Sequence, residues 1–294
     1  MMVRSQILHA SFIATLLAFA SAAHAAETDS ATSATAAAAV GAAASEAQEP
    51  TPPDAATAAA PADDSANSKD WEFSTLGYAW FAGVRGKSDL IGPVEPVDLD
   101  LSFGDVLKAF KFAFMGAAEA KHDRLIILGD FTFIHLDADQ GIGIRDPDFL
   151  QAELDSRTAE LTLMGGYRVA NKGPVTVDLL AGGRMNWFKA TLQLDGPTQS
   201  VDGSKKESWF DPLIGARVGA SLGGKWNAGI YGDLGGMITG SDVTWQVAPS
   251  VEYQLNHKMR IGVGWRVFKV HYDKGDFLYD VAQSGPLITF RTAF

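Results

Sequence analysis

The chain closes on Gly285-Pro286-Leu287-Ile288-Thr289-Phe290-Arg291-Thr292-Ala293-Phe294, and the reading of this stretch decides the fold. Ile288, Phe290, Thr292 and Phe294 fall on one face of a strand, and Thr289, Arg291 and Ala293 on the other. That is the period-two code of a barrel wall with one face toward lipid. An edge strand of a soluble sandwich alternates in the same way. The difference lies upstream, because a barrel needs several more strands of this kind.

Alternation recurs in nine earlier segments, at about 72–86, 112–121, 125–137, 154–169, 175–194, 207–222, 226–238, 243–255 and 259–272. The expected fold is therefore all-β: a ten-stranded antiparallel transmembrane β-barrel. Connections are read as long after the odd strands and three to five residues after the even ones, the asymmetry of extracellular loops and periplasmic turns. An even strand count returns both ends to the periplasm.

Charge separates barrel from sandwich. Through the middle of the strands the apolar face carries no Lys, Arg, Asp or Glu. The opposite face carries Arg85, Glu119, Lys121, Asp130, Glu160, Arg168, Asp178, Arg184, Asp211, Arg217, Asp233, Glu252, Arg260, Arg266 and Arg291. A soluble sandwich would hide its apolar face and expose its charges. A charge facing the middle of a bilayer would cost roughly 2–4 kcal/mol, so the charged face is the lumen. In the first strand this rule puts Tyr78 and Trp80 on the lipid face, opposite Arg85. Trp80, Trp187, Trp226, Trp245, Tyr167 and Tyr253 lie toward strand ends, as interfacial girdle residues do. Pro212 and Pro249 each remove a ladder donor, so bulges are expected there.

Seven acids and eight bases share this narrow lumen and should pair as one network, since unpaired ions in poorly solvated space are costly. Such a barrel has a structural role or is a low-conductance pore for a small solute. The alternatives are an enzyme acting on lipid or peptide at the extracellular rim, and an adhesin working through its loops. For an enzyme the candidates are His135 with Asp137 and His271 with Asp273, although no oxyanion donor set accompanies them. No phosphate loop, zinc helix or calcium loop is present in the sequence, and no cofactor or metal is called for. In the first outer loop, 87–111, Val97, Leu99 and Leu101 alternate. Ser102 and Asp105 then form a capping box before a short helix that packs on the barrel rim.

The N-terminal third reads differently. Arg4, the apolar run Phe12–Ala20 and Ala23-His24-Ala25 suit a signal peptide over 1–25, too short to span as a helix. Residues 26–70 carry four Pro, no aromatic, and eight acids against Lys69. This periplasmic segment should be disordered. Most of the chain's net charge of −11 sits there, and nothing basic invites nucleic acid. Zero Cys excludes disulfides and thiol chemistry.

Residues 71–294 resemble bacterial outer-membrane β-barrel proteins of the porin-like or opacity-like kind. The likeness rests on Val97-Asp98-Leu99-Asp100-Leu101-Ser102-Phe103-Gly104-Asp105-Val106-Leu107, on Phe114–Ala120, on Trp209-Phe210-Asp211-Pro212-Leu213-Ile214-Gly215-Ala216-Arg217, on Gly240-Ser241-Asp242-Val243-Thr244-Trp245-Gln246 and on Tyr272–Phe277. It implies a Gram-negative cell outer membrane, contact with outer-membrane lipid, and a C-terminal strand read by the barrel-assembly machinery through Phe290 and Phe294. It supplies no catalytic residue.

Overall fold

The computed structural model describes residues 70–89, 96–138, 151–195 and 200–294. The proposed signal peptide and nearly all of the acidic segment lie outside them. Contacts divide the chain at Asp64/Ser65, and the second unit is a closed antiparallel β-barrel.

Its strands are β1 (Glu72–Trp80), β2 (Gly83–Ser88), β3 (Val97–Leu101), β4 (Phe110–His122), β5 (Leu125–Ala138), β6 (Gln151–Lys172), β7 (Val175–Asp195), β8 (Ser200–Gly223), β9 (Trp226–Gly235), β10 (Val243–Gln254), β11 (Met259–Lys274) and β12 (Phe277–Ala293). One helix, α1 (Phe103–Lys108), lies between β3 and β4. Ten strands form the ring, β1 followed by β4 through β12, and β12 pairs back with β1. The closing register runs from Ser74↔Ala293 to Trp80↔Leu287. The last strand therefore seals the wall.

Outward side chains form an apolar belt that includes Leu163, Leu179, Ile214, Val263 and Phe290, with Ile214 66% exposed. Water would penalise such a continuous band, and lipid rewards it. The barrel is a transmembrane one. One end has tight turns, such as Asp123-Arg124, while at the other end the strands run long. The 21 residues of β7 span ~70 Å, or ~50 Å of height at a tilt of about 40°. An apolar band is only ~25 Å tall, so this tall end stands well clear of the membrane.

Four sequence expectations are corrected. The first strand breaks at Phe81-Ala82, with both pieces on β12, and its faces are inverted: Trp80 is buried inside, where Tyr78 reaches Asp130. Arg85 alone had fixed that strand's polar side, and it lies beyond the break. The connection after the ninth strand is a tight turn at Gly275-Asp276, because β11 and β12 continue outward with Tyr272, Phe277 and Tyr279 packed inside. No register shift occurs at Pro212 or Pro249; shifts fall at Phe110/Phe112, Arg168/Ala170 and Ser221/Gly223. Finally, β2 and β3 form a flap on β12, and among the described residues β3 has no second strand neighbour.

Candidate functional site

The barrel interior is layered. Nearest the tight turns, Arg217 donates to Glu119, and its Nε and Nη2 donate to Asp178 at 3.0 and 2.8 Å. Arg168 Nε donates to the other Asp178 oxygen at 2.8 Å, and Lys121 pairs with Glu119 at 2.8 Å. Arg291 and Arg260 both approach Glu252, at 3.5 and 4.0 Å. These ions come from seven strands, β4, β6, β7, β8, β10, β11 and β12. Alternate inward positions on β4, β6, β7 and β8 bring the first group to one depth.

At the centre, Arg184 is wholly buried. Its Nη2 donates to both Asp233 oxygens at 2.9 and 3.2 Å, its Nε to Thr162 at 3.0 Å and its Nη1 to Thr244 at 3.3 Å. The Tyr231 hydroxyl, at 2.7 Å, and the Gln246 amide also donate to Asp233. Beside them Tyr78 donates to Asp130 at 2.9 Å, Arg266 Nη1 donates to Tyr78 at 3.3 Å, and Arg266 lies 3.9 Å from Glu160. A buried guanidinium is tolerable only when its charge is matched and its donors are used, and Arg184 meets both conditions.

Asp211 and Arg85 depart from the expected charge network. Asp211 is buried, yet neutral donors hold it: Asn186 at 2.9 Å, the Trp209 indole at 3.1 Å, and the backbone and hydroxyl of Ser241 at 2.6 and 3.0 Å. Gly240 makes this possible. At φ +68, a Cβ there would sit 2.3 Å from Phe210 O and 2.5 Å from Asp211 Oδ1. Two of the stretches that carry the family resemblance, around Trp209 and around Gly240, thus meet at one carboxylate. Arg85 pairs with Asp100 at 3.3 Å on the exposed β2–β3 flap, outside the lumen.

Beyond the central layer the lumen turns apolar, contrary to the expectation of charges throughout. Trp80 and Phe268 form the boundary: Arg266 stacks 4.6 Å from the Trp80 ring, and Arg184 4.9 Å from Phe268. Further out, Phe188 packs 5.2 Å from Tyr279, and Trp209 4.6 Å from Tyr272. Ala190, Leu192, Val270 and Val281 complete the layer. Within it lies a cavity of ≈110 Å³ lined by Trp80, Leu101, Met115, Ile134, Leu154 and Phe188 among others. The sequence held a usable signal for it. Continuing inward parity past Arg184 and Asn186 gives Phe188, Ala190 and Leu192, and past Arg266 gives Phe268, Val270 and Tyr272.

Other partners engage both candidate catalytic pairs. His135 Nε2 lies 2.8 Å from Asp155, while the neighbouring Asp137 pairs with Lys111. His271 lies 3.3 Å from Asp280 and 3.9 Å from Asp242. Donor atoms of His135, Asp137 and Asp155 come within 4.8 Å of one another, as a metal would need. Lys111 and Arg157 already occupy those carboxylates. On α1 the capping box is formed, Asp105 N donating to the Ser102 hydroxyl at 3.3 Å and Ser102 N to the Asp105 carboxylate at 3.2 Å, and the Ser102 hydroxyl also donates to that carboxylate at 2.7 Å. That bond, helped by Lys108, holds the Asp105 carboxyl below its ordinary pKa.

No known family matches the chain, and no curated protein does. Among solved structures, the outer membrane protease OmpT from Escherichia coli is 13% identical, with 77% of this chain and 98% of that one covered at a TM-score of 0.49. The translocator domain of the autotransporter NalP from Neisseria meningitidis is 10% identical, covering 79% and 91% at 0.40. Ail, the attachment invasion locus protein of Yersinia pestis, is 10% identical, covering 77% and 100% at 0.31. At these identities no residue role passes to this chain.

Proposed function

We propose that the protein is a non-conducting outer-membrane barrel with a structural role, its tall end outside the cell and its tight turns and N-terminal segment in the periplasm. The observation carrying this reading is Arg184, fully buried on the barrel axis side of β7 and bonded to β6, β9 and β10 together. A hydrated ion passing this level would have to displace a charge-assisted cluster whose every member depends on the others. Planar-bilayer recording of the refolded full chain tests it: no steps above background are expected. Discrete steps would replace the plug with the small-solute pore.

Recognition by the barrel-assembly machinery belongs to the same proposal. Phe290 and Phe294 are exposed on the outer face, and the Phe294 N–H donates to Phe73 O at 2.9 Å, beside the closing seam. Deletion of Phe294 is expected to lower the yield of assembled barrel in the membrane, while normal yield would remove this role.

A further inference from the structure

The ring of strands is not paired over its whole height. The β1–β4 ladder runs only from Glu72↔Lys121 to Gly77↔Gly116. Above that, β1 continues on β12 and β4 continues on β5, with no pairing between them among the described residues. Six pairs cover ~20 Å of strand, or ~15 Å of height at a tilt of about 40°. The split therefore starts inside the apolar band, on the half nearer the tall end.

Unpaired strand edges facing lipid are costly, because lipid offers their N–H and C=O groups nothing. The chain between β3 and β4 runs past this split as α1, whose Val106 lines the cavity behind it. From the end of β3, α1 carries the chain across to β4, and its Ala109 accepts from Asp137 N at 2.7 Å. Phe103 of α1 meets Phe81 edge-on at 5.4 Å. On the outside the split is flanked by exposed Phe112, Phe114 and Leu107. Behind it lies the apolar cavity. Trp80, Ala82 and Leu101 line it from one side of the split, Phe110, Ala113 and Met115 from the other, and Val106 from the helix.

We propose that this chamber binds the end of one acyl chain of an outer-leaflet lipid, which enters sideways between β1 and β4 under α1. The chemistry is matched on both sides of the wall. Apolar lipid borders the split outside, and a mostly apolar lining waits inside, closed from below by the Trp80–Arg266 layer. The volume, ≈110 Å³, fits a chain terminus and not a whole lipid. It compares with the ~150 Å³ engineered apolar cavity that stays dry and takes benzene. The proposal rests on the outward orientation of the tall end. It is independent of conductance, so each can fail alone.

The experiment places the full chain in vesicles of phospholipid bearing a diazirine at the end of one acyl chain. After irradiation, adducts are mapped by peptide mass spectrometry. Adducts are expected on inward Met115, Leu154 and Phe188 in addition to the outward Phe114 and Leu163. Ala113→Trp, filling the chamber from β4, should cut the inward adducts at least tenfold and leave the outward ones unchanged. Should that variant not assemble, Ser156→Leu fills the chamber from β6 with the same expectation. Adducts confined to outward residues, or inward adducts indifferent to filling, would overturn the proposal.

Discussion

Two parts of one lumen, the central layer around Arg184 and the outer layer around Phe188, solve the problem of filling a barrel in opposite ways. Both are buried, both are built from alternate inward positions of their strands, and both include β7. The central layer is held by directed bonds: Arg184, Asp233, Tyr231, Gln246 and Thr244 fix one another, and no member can leave without stranding a partner. The outer layer is held by contact area between rings, which tolerates empty space, and a cavity exists there. Polar filling closes a barrel, whereas apolar filling leaves room for a guest.

The comparison can be broken at either layer. Arg184→Ala removes the cation and strands Asp233 with its donors in a dry site. The loss should be large, about 3–5 kcal/mol, read as a lower urea midpoint for unfolding from vesicles. A midpoint within error of the parent would mean that the centre is wet. Phe188→Ala enlarges a space that is already partly empty. Neighbours there have some freedom to relax, so about 3 kcal/mol, the lower end for such truncations, is expected. The same denaturation series checks the order. If Phe188→Ala cost more than Arg184→Ala, packing and not the ion cluster would be what holds the lumen shut.

Much of the fold was legible because lipid imposes one simple rule on each strand. Ten strands, their antiparallel order and the closure of the last on the first follow from alternation and charge. Three things did not follow. The first strand carries one informative charge, Arg85, and the break at Phe81-Ala82 separates it from Tyr78 and Trp80, so its facing was read backwards. The outer ends of β11 and β12 read as loop because Asp273, Lys274, Gly275 and Asp276 form a polar cluster. They are only the tip of a hairpin whose shafts carry Tyr272 and Tyr279 inside. The neutral bonding of Asp211 depends on a turn from β9–β10 reaching back over β8, a contact 30 residues apart that no local pattern encodes. The gap between β1 and β4 is likewise a matter of pairing, which a face-by-face reading leaves open.

The central claim is that the barrel is dry and shut at the level of Arg184. Because the chain has no cysteine, single substitutions report without background. Thr162→Cys places a thiol in the central layer, where Thr162 is 5% exposed, and Lys189→Cys places one on the exposed outer face of β7. With a small charged methanethiosulfonate reagent on both sides of reconstituted vesicles, Lys189→Cys should react promptly and Thr162→Cys should stay unmodified over the same interval. Modification of Thr162→Cys at a comparable rate would contradict the account.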